Sequence, residues 1–412
     1  MRIIEVNYAD LPGRIFNGYD LHLSLNQLNH TANQIVVNKY SQEDTVIALK
    51  NDVLVERQLK NLENKLSMSN LLSILGKQLQ EEYCFLRADI VHYHILHNNM
   101  ISLLDLPKLM SLKPSIWTIH DPWLVTGNCV HPLKCTKWLD GCRNCENLKY
   151  KYFEMKDDKA WQMWNIKKQI YSKLDIDVVV ATNFTKKYIQ DSPLTKHFSR
   201  IHKIPFGVDV ELFKRFDNLQ VRSKYGIEKG KIVIGFRKDN SPVKGGVYIY
   251  EALERMSFNK DIVIISVGDG DIPNSLKQKF RVIDLGWQNN DYIMKEFFTV
   301  CDIFIMPSLA ESFGLMAIEA MAAQVPVICF KDTVLEEIVE APNCGIAVQY
   351  ASSNKLKEAI ERLVYNQDEC KIRGRKARMI IERCYQYKQY VQSHIQLYED
   401  VMERQKYKNS KD

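Results

Sequence analysis

Two glutamates, Glu311 and Glu319, stand eight positions apart in a segment whose residue types suit an extended phosphorylated ligand. Good helix formers run from about Gly314 to Gln324, so we predict a helix there. Over eight helical residues the chain rises about 12 Å, and the two side chains differ in direction by roughly 80°. The pair could therefore hold both ends of a ligand whose diphosphate lies over the free N–H groups of the helix start. The same spacing also fits a capping Glu311 and a solvated Glu319.

A cluster of cations follows an apolar strand that we predict at residues 231–235. The loop after this strand contains three basic residues and two glycines: Arg237, Lys238, Lys244, Gly245 and Gly246. Such a loop can bind an anion, because glycine lets the backbone approach closely and fixed cations neutralise phosphate charge. A solvated basic loop is the alternative.

The elements that would position these residues alternate between apolar strands and helices, which predicts an α/β fold with parallel sheets. We expect two Rossmann-like, doubly wound domains that face a ligand-binding cleft. Pro205 and Gly207 indicate the boundary between them. A helical pattern from about residue 372 to residue 406 closes the chain. The predicted domains are 1–205, 206–385 and 386–412, the last being a C-terminal helix and basic tail that crosses back to the first domain.

Polar residues also follow several predicted strands in the first half of the chain. Gly18 lies in a loop after the first strand, His92 and His94 end a later strand, and His120 follows the next one. Carboxyl ends of parallel strands form the ligand edge of a doubly wound sheet, so Gly18 and His120 are candidate ligand contacts. The glycine loop lacks the GxGxxG dinucleotide fingerprint, and a histidine in such a place is often structural.

Four of the ten cysteines are clustered in one predicted loop: Cys129, Cys135, Cys142 and Cys145. The terminal CxxC and the four thiols are compatible with a tetrahedral structural zinc site, in which His131 could replace one thiol. The alternative is four thiols without a metal, since structural disulfides are rare in a reducing cytosol.

The stretch from Lys149 to Lys173 is rich in basic and aromatic residues, including Trp161 and Trp164. A basic, aromatic helix here could lie in the interface of an anionic membrane, or pack its aromatic stripe against its own domain. No apolar run approaches the length of a spanning helix, and no signal peptide is evident. We therefore expect a cytoplasmic protein, with peripheral contact to the inner face of the cytoplasmic membrane.

The composition of the 412 residues is that of a globular protein, with 46% hydrophobic and 26% charged residues. This composition predicts an ordered chain, and the length predicts two or three domains. The net charge of +6 is mild. It permits an anionic ligand or membrane surface, and we expect no nucleic-acid partner.

Seven stretches carry a resemblance to one enzyme family: His92-Tyr-His94, Trp117–Gly127, the four-cysteine loop, Ile204–Asp209, Val243–Gly246, Val267–Gly270 and Pro307–Ala322. They span nearly the whole chain, which resembles the retaining glycosyltransferases of family 4 with the GT-B fold. The most specific stretch is the last, with its two glutamates and Ser-Phe-Gly. The His-Asp-Pro-Trp stretch with the cysteines is similar to a bacterial subgroup that builds surface polysaccharides such as O-antigen, capsule or exopolysaccharide.

The resemblance implies a retaining transfer of a hexosyl group from a UDP- or GDP-sugar to a growing glycan or lipid-linked oligosaccharide. The first domain would bind the acceptor and the second the nucleotide sugar. Arg237 and Lys244 would stabilise the departing phosphate, so no cofactor is expected for catalysis and zinc would be structural. His120 would lie near the reacting sugar.

The resemblance also assigns the donor contacts. Glu311 would bind the sugar hydroxyls and Glu319 the ribose. The remaining contacts are Ser312 in the glutamate loop, the backbone N–H groups of Phe313, Gly314 and Leu315 at the diphosphate, Gly18 also near the diphosphate, and Gly286, Trp287 and Gln288 near the base.

Two departures from the family pattern concern Gly18 and Arg237. The usual Gly-Gly loop has Asn17 before Gly18, and the usual Gly-Arg turn has an extra residue, so Lys238 could replace Arg237. Two alternatives to the transferase remain: a nucleotide-sugar epimerase of the same fold, and a non-catalytic two-domain sugar-binding module.

Overall fold

The computed structural model describes residues 1–50, 52–149, 154–216, 218–257 and 261–410. The chain forms two compact units: the first comprises Met1–Ile204 with Val391–Asp412, and the second comprises Pro205–Tyr390. Each unit contains a parallel sheet with helices packed on it, which confirms the predicted α/β class with two doubly wound domains. Among the helices of the described ranges, none is both long and apolar enough to cross a membrane.

The sheet of the first unit consists of short strands, and its central strands are almost entirely buried, as parallel strands covered on both faces require. Its described strands are β1 (Arg2–Val6), β2 (Thr31–Val36), β3 (Val46–Ala48), β4 (Ile90–Tyr93), β5 (Ser115–Ile119), β6 (Asp177–Val180) and β7 (Ile201–Lys203). They pair in parallel in the order β3-β2-β1-β4-β5-β6-β7, so the order reverses between β1 and β4. Ligands of doubly wound sheets bind outside the carboxyl ends of the strands at such a reversal.

Helices connect these strands and cover the sheet. They are α1 (Tyr19–Gln27), α2 (Val53–Leu66), α3 (Leu75–Glu81), α4 (Tyr83–Leu86), α5 (Leu106–Leu112), α6 (Ala160–Tyr171) and α7 (Asn183–Asp191), with 3₁₀ turns at Leu103–Asp105, Pro122–Val125 and Lys137–Asp140. Apolar side chains from both layers, such as Val91, Trp117 and Ile170, form one continuous core.

The second unit repeats the same plan. Its strands are β8 (Ile232–Arg237), β9 (Ile262–Val267), β10 (Arg281–Asp284), β11 (Ile303–Ile305), β12 (Val327–Phe330) and β13 (Ile346–Val348). Within the described residues they pair in parallel in the order β10-β9-β8-β11-β12-β13, which places the reversal between β8 and β11. The loops after β8 and β11 are therefore the expected ligand-binding loops of this unit.

The remaining helices are α8 (Asn218–Lys224), α9 (Gly246–Arg255), α10 (Asn274–Lys279), α11 (Asp291–Val300), α12 (Leu315–Ala322), α13 (Val334–Ile338), α14 (Ser353–Tyr365), α15 (Gln367–Cys384) and α16 (Tyr387–Asn409). A 3₁₀ turn at Pro242–Lys244 follows β8. Buried side chains of β8, α9 and α14, such as Ile234, Leu253 and Leu356, lie in the core of this unit.

The prediction of a single helix from residue 372 to residue 406 is wrong, because the helix is interrupted between α15 and α16. At the break, Val208 N–H donates to Tyr385 O at 2.8 Å, and Tyr387 N–H donates to Val208 O at 3.0 Å. These backbone groups are used in a short parallel bridge and cannot continue the helical hydrogen-bond ladder. From Val391 onwards α16 belongs to the first unit, where Tyr398 is buried.

The helical interpretation of residues 149–173 also needs correction. Residues 150–153 lie outside the described residues, and 154–159 are not helical, so α6 begins only at Ala160. Ser67 Oγ accepts the N–H groups of Lys156 and Asp157 at 2.9 Å each, and these tertiary contacts hold the chain in a non-helical course.

Candidate functional site

An ion pair joins the two loops at the strand reversal of the second unit. Lys244 Nζ donates to Glu311 Oε1 at 2.6 Å, and Ser308 Oγ donates to the same oxygen at 3.0 Å. The Glu311 side chain is only 11% exposed, whereas that of Lys244 is 30% exposed. The loop after β8 thus presents a cation to solvent at the expected ligand edge, held by an acid from the loop after β11.

Two glycines let these loops approach each other and start the helix that follows. Gly245 has a φ of +73°, and a Cβ there would lie 2.1 Å from Pro307 O, so only glycine fits between the loops. Gly314, with a φ of +108°, is the N-cap of α12, and a Cβ would lie 2.5 Å from a methyl group of Leu335. The first N–H groups of α12 have no acceptor within the helix, so the loop ends in a ready anion site.

The residues around this helix start are Ser312, Phe313 and Leu315. Phe313 is more deeply buried than the other two. Its ring is fully buried against Phe206 and Tyr385, with centroid separations of 5.3 and 5.9 Å. The side chain of Phe313 is therefore not available to a ligand. Ser312 and Leu315 retain partial exposure.

Glu319 lies on α12 in a desolvating environment. The residue is only partly exposed, and burial raises the pKa of its carboxyl to about 8, with the negative charge of Asp291 adding to the rise. A carboxyl whose pKa is raised in this way is a candidate functional group. A ligand that donates hydrogen bonds to the Glu319 carboxylate would stabilise its ionised form.

Arg237 ends β8 on the same edge of the sheet. Its Nη2 donates to Asp239 Oδ2 at 2.8 Å, and its guanidinium lies 5.6 Å from the centre of the Trp287 ring. Its Nε is buried and has no hydrogen-bond partner among the described residues. Trp287 itself is 58% exposed, and Gly286 before it has a φ of +65°. The exposed Trp287 ring and the Arg237 guanidinium, which has unused hydrogen-bonding capacity, thus lie at the same edge of the sheet as the loop that contains Lys244.

Lys238, the alternative to Arg237, is committed elsewhere. Its side chain is 9% exposed, and its Nζ donates to Asp284 Oδ2 at 2.8 Å and to Gly270 O at 3.0 Å. These contacts tie the end of β8 to the ends of β9 and β10. The structure therefore favours Arg237 as the cation that can meet a ligand.

In the first unit, Gly18 caps α1 directly over a buried polar network at the reversal between β1 and β4. With a φ of +83°, a Cβ on Gly18 would lie 2.6 Å from His94 Nε2 and 2.8 Å from Glu5 Oε2. His94 Nε2 lies 2.6 Å from Glu5 Oε2, and Tyr398 OH donates to Glu5 Oε1 at 2.9 Å. The close approach of the glycine loop to the sheet edge is thus present at position 18.

The same network contains His92. His92 Nδ1 lies 2.7 Å from the Tyr398 hydroxyl, and its Nε2 lies 2.6 Å from Thr118 Oγ1. Burial opposes ionisation of Glu5, but the charge and hydrogen bonds of His92 and His94 outweigh it and hold the pKa of Glu5 below its usual value. Burial and the neighbouring His92 lower the pKa of His94 to about 4.

His120 follows β5 and is buried beside this network. Its ring centroid lies 5.6 Å from that of His94 and 6.1 Å from that of Phe16. Burial, reinforced by the nearby histidines, lowers the pKa of His120 well below its usual value, so the ring is neutral at physiological pH. The next residue, Asp121, accepts Trp123 N–H at 2.9 Å and begins the following 3₁₀ turn. A neutral imidazole can exchange hydrogen bonds with a hydroxyl without attracting anions.

A cavity of about 690 Å³ opens in the first unit near the end of β4. Its lining is mostly polar: Tyr8, Lys60, Glu63, Asn64, Ser67, Met68, Ser69, His97, Asn98, Asn99, Asn128, Glu154, Met155 and Lys156. Amide, hydroxyl and amino groups of this kind are suited to hydrogen bonds with a polyhydroxylated ligand.

The four clustered cysteines line a second, smaller cavity of about 200 Å³. His131 does not line this cavity. All four are free thiols, and burial raises the pKa of Cys129 to about 12 and that of Cys142 to about 11. In the described part of the chain, only one group of three or more acidic, histidine or cysteine residues has its ligand atoms within 4.8 Å of one another. That group is Glu5, His92 and His94.

The aromatic stripe of α6 packs mainly into its own unit. Trp164 is buried and its Nε1 donates to Trp138 O at 3.0 Å. Lys167 is fully buried, and its Nζ donates to Trp123 O at 2.6 Å and to Thr126 O at 2.9 Å. Trp161, by contrast, is 39% exposed.

Sequence reasoning missed Glu5, Tyr398 and Asn128. A lone acid in the otherwise apolar strand Arg2–Val6 was a signal for Glu5, because a buried carboxylate needs partners. Tyr398 and Asn128 carried no such signal, since a tyrosine in a helix and an asparagine in a loop are common.

Comparison with known proteins agrees with this architecture. The family model described as glycosyl transferases group 1 matches residues 217–380, and the model described as glycosyltransferase family 4 matches residues 35–212. The solved structure of Anabaena HepE in complex with UDP and glucose superposes with a TM-score of 0.68 at 16% identity, covering 97% of this chain and 100% of that one. At this identity the likeness concerns the fold alone.

Two curated relatives come from Escherichia coli. WcaC of strain K12, named as a colanic acid biosynthesis glycosyl transferase, is 33% identical over 92 residues, which cover 21% of this chain and 22% of that protein. A UDP-Gal:alpha-D-GlcNAc-diphosphoundecaprenol alpha-1,3-galactosyltransferase is 30% identical over 142 residues, 31% of this chain and 36% of that protein. The chain thus matches well under half the length of either relative. With a glycosyltransferase model on each half, the chain belongs to the group 1, family 4 glycosyltransferases of the GT-B fold.

Proposed function

We propose that this protein is a retaining glycosyltransferase that moves a hexosyl group from a nucleotide sugar to a glycan or lipid-linked acceptor in bacterial surface-polysaccharide synthesis. The observation that carries the proposal is the Lys244–Glu311 ion pair at the strand reversal of the second unit. Arg237 ends a strand on the same sheet edge, and within the described part of the chain its Nε has no hydrogen-bond partner. Cations beside a helix start serve a diphosphate, whereas a neutral sugar alone would need none.

The donor would lie along this edge. Its sugar hydroxyls would bind Glu311, its diphosphate would meet the N–H groups from Phe313 to Leu315, and its ribose would bind Glu319. The base would stack near Trp287, which is exposed beside Gly286. Ser312, partly exposed in the same loop, is a further donor contact.

The chemistry would depend on charge rather than on a nucleophilic side chain. As the nucleoside diphosphate departs, negative charge grows on its phosphates and the sugar becomes oxocarbenium-like. Once the donor is bound, Lys244, Arg237 and the helix N–H groups would stabilise this charge, so no catalytic metal is required. The acceptor hydroxyl would attack the face that the leaving group vacates, and a phosphate oxygen would take its proton. His120 and Gly18 would serve the sugar and diphosphate from the first unit.

The acceptor would bind the first unit in the 690 Å³ cavity. Asn64, Asn98, Asn99 and Asn128 supply amides, and Lys60 supplies a cation for an acidic or phosphorylated group. The name of the Escherichia coli galactosyltransferase, whose acceptor is a sugar on diphosphoundecaprenol, supports a lipid-linked acceptor of this kind.

A lipid-linked acceptor would bring the protein to an anionic membrane surface, and the exposed Trp161 of α6 is the candidate contact. Flotation with anionic liposomes should therefore fall in Trp161→Ala and persist in the control Trp287→Ala, an exposed tryptophan of the second unit. Equal flotation of both variants and the parent, or no flotation at all, would remove the membrane contact from the proposal.

A panel of UDP- and GDP-sugars, measured by thermal shift, tests the donor side. A ligand that binds only the folded state raises the melting temperature, so one nucleotide series should stabilise the protein. UDP-sugars are the first candidates, because the fold is shared with the UDP-bound HepE structure. The stabilisation should vanish in Glu319→Ala; a shift that survives there would contradict the assigned ribose site.

The same protein distinguishes the alternative functions. Interconversion of nucleotide sugars without acceptor would favour an epimerase, and binding without any turnover would favour a sugar-binding module.

A further inference from the structure

The cysteine loop is a compact segment with little regular structure of its own. Between Thr126 and Asn147 the structure shows one 3₁₀ turn, Lys137–Asp140, and no strand. The turn that carries the CxxC pattern has positive φ angles at Gly141, Cys142 and Asn144. Tertiary hydrogen bonds hold the loop at a few points, such as Trp164 Nε1 to Trp138 O at 3.0 Å and Cys145 N–H to Asp158 Oδ2 at 2.8 Å. A bound metal ion would add a further constraint.

All four cysteine side chains converge on one cavity of about 200 Å³. Two of their sulfurs accept hydrogen bonds: Gly127 N–H donates to Cys142 Sγ at 3.1 Å, and Asn147 Nδ2 lies 3.9 Å from Cys129 Sγ. Donors aimed at sulfur stabilise thiolate charge, as outer partners of metal-bound cysteines do. Three of the cysteines are partly buried, and Cys135 is exposed at the rim.

The chemistry of this donor set fits zinc. Four thiolates with a terminal CxxC form a tetrahedral S₄ set, which selects zinc over hard cations. The sulfurs do not form a group within 4.8 Å, so the side chains would have to rotate into the cavity to close on an ion. The tighter set of Glu5, His92 and His94 already has its hydrogen bonds within the protein, from Tyr398 and Thr118, and needs no ion.

We propose that Cys129, Cys135, Cys142 and Cys145 bind one zinc ion, and that this structural site fixes the wall of the 690 Å³ cavity through Asn128. Binding would replace four S–H bonds by four Zn–S bonds and release the protons to solvent. The ion would have no open coordination position and no part in bond making to the sugar.

Asn128 connects the two cavities. It lines the cysteine cavity and the larger polar cavity, and it directly precedes Cys129. Thr126, two residues earlier, donates from Oγ1 to Cys129 O at 2.6 Å and accepts from the buried Lys167 through its carbonyl. Lys167 of α6 therefore anchors the start of the loop, and Asp158 accepts Cys145 N–H near its end. The zinc site would link these two parts directly and fix Asn128 in the wall of the larger cavity. This consequence rests on the proposed acceptor site, whereas zinc binding itself does not.

The test measures zinc in the full-length protein purified with a reducing agent. We expect about one zinc ion per chain by elemental mass spectrometry, lost in Cys142→Ser and in Cys145→Ser. The control Cys84→Ser, a partly buried thiol of the first unit outside the loop, should keep the ion. Absence of zinc after incubation with the metal, retention of zinc in both loop variants, or disulfides found among these cysteines in the parent would each overturn the proposal.

Chelation of the parent protein covers the case in which the loop variants fail to fold. A strong zinc chelator should release one ion per chain, expose four additional thiols to alkylation, and open residues 126–147 to limited proteolysis. Unchanged alkylation and proteolysis after zinc loss would contradict a structural role.

Kinetic measurements then test the effect of zinc on the acceptor cavity separately from zinc binding itself. The chelated protein should keep its nucleotide affinity and show an acceptor KM raised severalfold, restored by added zinc. An unchanged acceptor KM would refute the link through Asn128, and loss of transfer in zinc-loaded parent protein would count against the proposed function instead.

Discussion

In the proposed mechanism, Lys244 and Glu311 would lie where the departing nucleoside diphosphate develops its charge. In the free protein the two side chains form an ion pair at 2.6 Å. When a donor binds, its hydroxyls can take the place of Lys244 on Glu311, and its phosphates can take the place of Glu311 on Lys244. Under this proposal, the ion pair would receive both halves of the ligand.

Lys244→Ala should lower kcat by about 10²–10³-fold while changing nucleotide affinity much less, because its charge matters most when phosphate charge develops. Steady-state and single-turnover kinetics with the donor that emerges from the panel measure both quantities. Lys277→Ala, an exposed lysine on α10, is the matched control and should behave as the parent. A normal kcat in Lys244→Ala would remove Lys244 from the proposed mechanism.

The raised pKa of Glu319, about 8, predicts a pH-dependent nucleotide affinity. The ribose hydroxyls would donate to the ionised form, so below pH 8 binding must first release a proton from the free protein. Affinity should therefore strengthen with rising pH by up to about tenfold per unit and level off above pH 8. Calorimetric titration from pH 6 to pH 9 measures this slope. Glu319→Gln should bind weakly and without the slope; a flat profile in the parent would refute the assignment.

At this scale the sequence predicted which residues matter better than what they contact. The spacing of Glu311 and Glu319 and the basic loop were visible, but the ion pair was not. Its formation depends on β8 and β11 being neighbours in the sheet although they are far apart in the chain. The commitment of Lys238 to Asp284 likewise required the position of β10.

Among the elements, α12 depends on the conformation of its N-cap. Gly314→Ala should cost about 1–2 kcal/mol from its left-handed backbone and about 1–3 kcal/mol more from displacing Leu335. Gly230→Ala is the control, since Gly230 has a φ of +88° but open space around it, so only the backbone cost applies. Calorimetric unfolding of the two variants measures the difference; equal losses would show that the contact with Leu335 is not limiting.

The C-terminal helix α16 contributes a polar contact to the sheet of the first unit. Tyr398→Phe removes a hydrogen bond to buried Glu5 and a partner of His92, and should cost about 1–3 kcal/mol. Tyr40→Phe, at an exposed tyrosine, should change stability by less than about 0.5 kcal/mol. Tryptophan fluorescence during denaturation follows this unit, because of the six tryptophans only Trp287 lies outside it. Equal stability of the two variants would contradict the role of the network.

Element boundaries were predictable where the local pattern decides them and not where tertiary contacts do. Gly314 and the apolar run before it predicted the start of α12 closely. The break between α15 and α16 was missed because it depends on pairing with Val208, a residue more than 170 positions earlier. For the same reason residues 154–159 could not be recognised as non-helical, since Ser67 fixes their course.

At the scale of the whole molecule, each unit is a doubly wound sheet whose polar residues collect at its own strand reversal. In the first unit this edge contains Gly18, His94 and Glu5; in the second it contains Arg237 and the Lys244–Glu311 pair. The α/β class and its two sheets followed from the sequence, because alternating apolar strands and helices leave few other solutions. The polar cavity did not, since its lining comes from α2 and from loops scattered through 8–156.

The central claim is the transfer of a sugar from a nucleotide donor, and acceptor-dependent release of nucleoside diphosphate tests it most directly. The protein would be incubated with the stabilising nucleotide sugar, with and without a diphosphoundecaprenol-linked sugar as acceptor, while nucleotide release and the acceptor mass are followed. We predict that release requires the acceptor, that the acceptor gains one sugar with the anomeric configuration of the donor, and that both are lost in Lys244→Ala. Nucleotide release that is indifferent to an acceptor series of glycans and lipid-linked sugars, with no sugar added to any of them, would contradict the account.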